Sequence, residues 1–129
     1  MTRRSRKLTL TVEQCRLMYR LLSETEPFNG WNMPDSSDVI FKVSRSRNIS
    51  GYHKEWSTGE HEIGISARCV GTIPTLAAIM GHEMAHLHQC TTKPRTDTPG
   101  VEHNLAFRRI ADRICEVHHF DRPMFAEID

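Results

Sequence analysis

Between Thr11 and Ser23 the apolar residues Val12, Cys15, Met18, Tyr19 and Leu22 recur at helical spacing. That period predicts an amphipathic helix with one buried stripe. Thr11 followed by Gln14 has the spacing of a capping box, which places the helix start. Pro27 and Asn29-Gly30 end the element. The following PFNGWNMPDSS reads as a loop, with Trp31 as a plug for the core rather than a platform for a ligand. The pattern then changes. VIFKV at 39–43 is rich in β-branched residues and predicts a strand, and Ser44 to Arg47 a turn. Asn48 to His53 and His61 to Ser66 are two further strands, joined through KEWSTGE with its turn-forming Gly59. One small antiparallel sheet of three strands is expected.

The helical period returns at Thr72 to Thr75, where Pro74 is tolerated in a first turn. Leu76, Ile79, Met80 and Leu87 supply its apolar positions, and it must stop before Pro94 in the loop TTKPRTDTPG. A last long helix is expected from 101 to 117, with Phe107, Ile110, Ile114 and Val117 on one stripe and His103 on the same face. The tail HHFDRPMFAEID carries no period that assigns it. The expected class is therefore α+β, with residues 1–10 a basic flexible arm and 11–129 a single domain.

Composition narrows the function classes. At 129 residues, 38% hydrophobic and 26% charged, the chain is an ordinary globular domain large enough for a core. No apolar run has the length of a membrane span or the place of a signal peptide, so a cytoplasmic protein with no membrane partner is expected. Cys15, Cys69, Cys90 and Cys115 are scattered without a C-x-x-C pair and read as reduced thiols. A net charge of +1 argues neither for nor against nucleic acid. Arg3, Arg4, Arg6 and Lys7, with Arg45 and Arg47, keep a DNA partner open, although a short terminal charge run is more often a solvated tail.

The chemistry gathers in GHEMAHLHQC at 81–90. On a helix, His82 and His86 lie one turn apart on one face and can share one catalytic Zn²⁺. Glu83 is offset by one residue, so its carboxylate can sit beside the ion without ligating it. The bland alternative is a pair of surface histidines at accidental spacing. A catalytic site needs a third ligand while leaving room for water. His103 supplies it from the inward stripe of the next helix. Glu102 is its rival at the stripe's edge, and Cys90 a weaker one at the end of the motif helix. His88 points away from His86 and is expected to face solvent or be paired.

The order EIGIS, a short loop, the HEMAH helix, a loop, and a helix opening EHNLAFRRIADRI resembles the SprT-like zinc metalloprotease domain over about residues 38 to 117. His82, Glu83 and His86 match its HExxH helix, and His103 with Phe107 its third ligand and the phenylalanine one turn on. Asn104 stands where that family usually has Gly, and the C-terminal zinc ribbon of longer members has no counterpart here. Glu102 followed by Phe107 also partly echoes the repressor-cleaving HExxH proteases of mobile elements.

The resemblance implies a zincin-like fold and a zinc-dependent peptidase. The ion acidifies a water and polarises the scissile carbonyl, and Glu83 takes the proton and passes it to the leaving amine. It further implies that the strand before the motif, Glu62 to Ser66, receives an extended peptide or flexible loop by edge pairing, so Ile63, Gly64 and Ile65 are expected to touch substrate. Tyr52, His53 and His118 are candidates for the second oxyanion donor, each more often structural, and Trp56 is a hairpin-tip aromatic open to substrate or sheet packing. Two other classes stay open: a non-catalytic module stabilised by zinc, and a protease whose basic arm binds DNA.

Overall fold

The computed structural model describes residues 9–92 and 105–128. These form α1 (Val12–Ser23), β1 (Val39–Ser44), β2 (Gly51–Glu55), β3 (His61–Ser66), α2 (Ile73–Thr92), α3 (Leu105–His118) and α4 (Arg122–Ala126), with 3₁₀ turns at Phe28–Gly30 and Ser36–Asp38. Among the described residues the fold is thus a small α+β arrangement of four α-helices and one three-stranded sheet.

α1 starts where its capping chemistry puts it. Thr11 Oγ1 accepts from Gln14 N at 3.1 Å, and Gln14 Oε1 accepts from Thr11 N at 2.9 Å. Cys15, Met18, Tyr19 and Leu22 are buried as the stripe predicts, while Val12 in the first turn stays exposed. Tyr19 Oη donates to Pro34 O at 2.6 Å, which pins the long loop beneath the helix. Trp31 packs against the core as expected and makes an edge contact with Phe28 at 5.5 Å.

The sheet corrects the antiparallel expectation. Its order is β1-β3-β2, with β2 antiparallel to β3 and β1 parallel to it. The short connection at 45–50 suits a hairpin, yet it steps over one strand position and leaves the slot to β3. Two inter-strand spacings come to only about 10 Å, a distance a few extended residues span. The crossing is fastened at the far end of β3, where Ala67 N donates to Ser44 O and Ser66 N to Ser50 O, both at 2.8 Å. β2 also begins later than the pattern suggests. Ser46 Oγ accepts from Asn48 N (3.1 Å) and Ile49 N (3.2 Å), so these residues form a side-chain-closed turn instead of strand.

Alternation along β2 and β3 separates two faces. Gly51, His53 and Glu55 share the helix-facing side with His61, Ile63 and Ile65, and Tyr52 and Lys54 share the other with Glu62 and Gly64. On that outer face the Tyr52 ring lies where a Cβ on Gly64 would stand, only 2.0 Å from Tyr52 Cε2. Tyr52 Oη and Trp56 Nε1 (3.1 Å) both donate to the Glu62 carboxylate, which is 6% exposed, and Lys54 Nζ sits 3.6 Å over the Trp56 ring. A buried carboxylate is tolerated because two donors answer it.

α2 is the centre of the molecule. Its middle is buried almost all round because the sheet, α1, α3 and α4 each cover a side. α3 buries Phe107, Ala111, Ile114 and Cys115. The tail that carried no period turns into α4, capped by Asp121, whose side chain accepts from Met124 N at 3.1 Å, with Pro123 in the first turn. No helix of the described residues is long and apolar enough to cross a membrane.

Candidate metal centre

His82 and Glu83 have no solvent exposure, and His86 is half-buried one turn further along α2. The His82 ring is held between Phe107 and Phe125, with both centroids 5.1 Å away. Its Nδ1 lies 2.8 Å from Phe125 O. A carbonyl oxygen can only accept, so Nδ1 carries the proton and Nε2 is left with its lone pair. This is the partner a metal-binding histidine needs behind it, since it fixes both ring orientation and tautomer. His86 stacks on Phe107 at 4.3 Å and 23°, and its Nε2 comes within 3.2 Å of His82 Nε2.

That separation tests the fit to zinc. Two ligands each 2.0–2.1 Å from a tetrahedral ion stand about 3.3 Å apart. The two Nε2 atoms already stand at that spacing, so these residues fit the ion. The Glu83 carboxylate lies against the start of β2. Its Oε2 would be 3.1 Å from a Cβ on Gly51, so the glycine that opens β2 leaves the space the carboxylate occupies. His103 and its rival Glu102 lie outside the described residues, as do Arg3, Arg4, Arg6 and Lys7. Arg45 and Arg47 are exposed on the β1–β2 connection.

His53 stays near the motif. It projects from the helix-facing side of β2, with Nε2 3.0 Å from His61 Nδ1. Burial, then the neighbouring His61 and His86 rings, push its pKa down to about 4. Cys90 is one turn beyond His86 on α2, and its thiol donates to Glu55 Oε1 at 3.3 Å. The ligand atoms of His53, His61 and Cys90 all lie within 4.8 Å of one another, so this group could hold a metal ion.

Other expected site residues lie elsewhere. β3 is the middle strand, with its backbone paired on both sides, so Glu62 to Ser66 has no open edge for a peptide. Ile63 and Ile65 are core residues with no exposure, and Gly64 is covered by Tyr52. Tyr52 is on the opposite face of the sheet from Glu83, and its hydroxyl is committed to Glu62. His118 Nε2 is 3.0 Å from Thr25 Oγ1, and the ring stacks on Phe120, which ties it to the end of α1. His88 stacks face to face on Trp31 at 4.3 Å, and Trp56 packs on the outer face. The unanticipated contributors are Phe125, through its carbonyl, and His61. Asp121-Arg122-Pro123 was a usable signal for the first, being a capping residue with Pro in the first turn.

The chain matches no protein-family model, no curated protein and no solved structure.

Proposed function

We propose that the chain is a zinc-dependent metallopeptidase of the SprT-like kind, cleaving peptide bonds in extended segments of protein substrates. The observation that carries this is the approach of His82 Nε2 and His86 Nε2 to 3.2 Å, with His82 Nδ1 held by Phe125 O, next to a fully buried Glu83. His82 and His86, with His103 as third ligand, would hold the ion, which when bound supplies Lewis-acid polarisation and a more acidic water. Glu83 is the general base, taking the proton of the attacking water and returning it to the leaving amine. Phe107 and Phe125 keep the two imidazoles from rotating, so little reorganisation is needed. β2 takes the substrate-pairing role expected of β3, because it is an edge strand of the sheet and its first residue touches Glu83. A purely structural zinc site would have no use for a carboxylate at position 83.

The test is cleavage of an unfolded protein such as casein by the purified chain. Chelation should abolish cleavage, added Zn²⁺ should restore it, and His86→Ala should lack it. Cleavage that survives chelation, or that His86→Ala retains in full, would contradict the proposal.

A further inference from the structure

We propose that His53, His61 and Cys90 form a second zinc site, separate from the His82–His86 pair. The three ligands come from three elements, β2, β3 and the last turn of α2. The hairpin brings the two histidines together, and tertiary packing of α2 brings Cys90 to them. In the β2–β3 register His61 faces Glu55 and His53 faces Ile63, so the two histidines are diagonal neighbours on the helix-facing side. Their rings lie 5.2 Å apart at 22°, with Nε2 of one 3.0 Å from Nδ1 of the other. Cys90 follows His86 by one helical turn, as His86 follows His82, which brings its sulfur over the same side of the sheet. All three residues are half-buried, and their ligand atoms lie within 4.8 Å of one another.

The bland alternative is a hydrogen-bonded histidine pair beside an unrelated thiol. It accounts for the 3.0 Å contact and, through Glu55, for the place of the thiol, but not for three metal-ligating atoms of this kind gathered within 4.8 Å of one another. Ligand atoms on a tetrahedral zinc with two nitrogens and one sulfur stand about 3.3–3.7 Å apart, so modest side-chain rotation completes the set. A thiolate with two imidazoles selects zinc over magnesium or calcium, which prefer oxygen. Glu55, already 3.3 Å from the sulfur, offers a carboxylate for a fourth position. The consequence is mechanical. The ion ties the β2–β3 hairpin to the last turn of α2, which no backbone hydrogen bond among the described residues joins, and it lies beyond His86 on the helix that bears the motif.

The experiment uses the full chain, stripped of metal and dialysed against Zn²⁺ alone or Co²⁺ alone, with circular dichroism to check folding. Wild type should retain two zinc ions per chain, while Cys90→Ser, His61→Asn and His82→Ala should each retain one. With cobalt, a near-ultraviolet thiolate-to-metal band should be present in wild type, His82→Ala and Cys69→Ser, and lost in Cys90→Ser. One ion in wild type accompanied by that band would support this site and remove the hydrolase centre instead. One ion without the band would overturn the second site and spare the first. A band that persists in Cys90→Ser would overturn it as well.

Discussion

Gly51→Ala is the sharpest perturbation available to the contact between α2 and the sheet. The added methyl carbon would stand 2.9 Å from Gly64 O, 3.0 Å from Ile79 Cγ2 and 3.1 Å from Glu83 Oε2. Ordinary carbon contacts begin near 3.5 Å, so each neighbour would have to give by several tenths of an ångström. Gly64 O is backbone in the middle strand, paired on both sides, and cannot yield cheaply. Relief must come from lifting β2 off α2 or from turning Glu83. Overpacking of this kind costs about 1–3 kcal/mol. In a domain of this size that lowers Tm on the order of 5–10 °C. Thermal unfolding of the chelated protein reads the cost directly. Gly30→Ala is the control, since nothing lies within 4 Å of its added carbon. Displacement of the base should also lower kcat about 10²-fold with a smaller change in KM. A Gly51→Ala protein within 0.5 kcal/mol of wild type, with its full rate, would refute the placement of Glu83 against β2.

Other expectations separate the two faces of the sheet and the two ends of the centre. Tyr52→Phe removes one donor from the buried Glu62 and should cost about 1–2 kcal/mol in urea unfolding while leaving kcat/KM within about 2-fold; a large loss of rate would return Tyr52 to the active site. Phe125→Ala empties a fully buried ring position, for about 3–5 kcal/mol, and by loosening α4 should weaken zinc binding about 10–100-fold by competition with a chelator. Phe125→Leu, which keeps most of the buried volume and so the place of α4, should lose much less of both. Cys15 gives an alkaline signature. Burial pushes its pKa up from 9.0 to about 11, so its contribution is fully present below pH 9 and is lost as pH rises towards 11, where the unfolded thiol ionises first. The stability gap between wild type and Cys15→Ala should shrink on the order of 2 kcal/mol across that window, as followed by urea titration; a constant gap would mean the thiol is not buried.

What could be read from the sequence was local. The α1 capping box and the bounds of β3 follow from residue chemistry within a few positions. Facing was equally legible, because His82, His86 and Cys90 share one side of α2 at four-residue spacing. Strand order was not legible. The six residues at 45–50 fit an adjacent hairpin as well as a step across β3, and the backbone bonds from Ser66 and Ala67 that decide between them are non-local. Placing β3 in the middle then removed Ile63, Gly64 and Ile65 from any substrate edge. The role of Phe125 was hidden for a different reason. A backbone carbonyl has no signature of its own, and only the short capped turn at Asp121 hints that the tail packs. His61 was read as a strand residue, and its place near Cys90 depends on a register no single segment specifies.

The most direct measurement compares peptide hydrolysis by wild type and Glu83→Gln, each carrying the same amount of bound zinc. Loss of the base should lower kcat about 10²–10⁴-fold with the metal content and Tm little changed. Equal rates at equal zinc would contradict the assignment of Glu83 as general base and, with it, the assignment of α2 as the active-site helix.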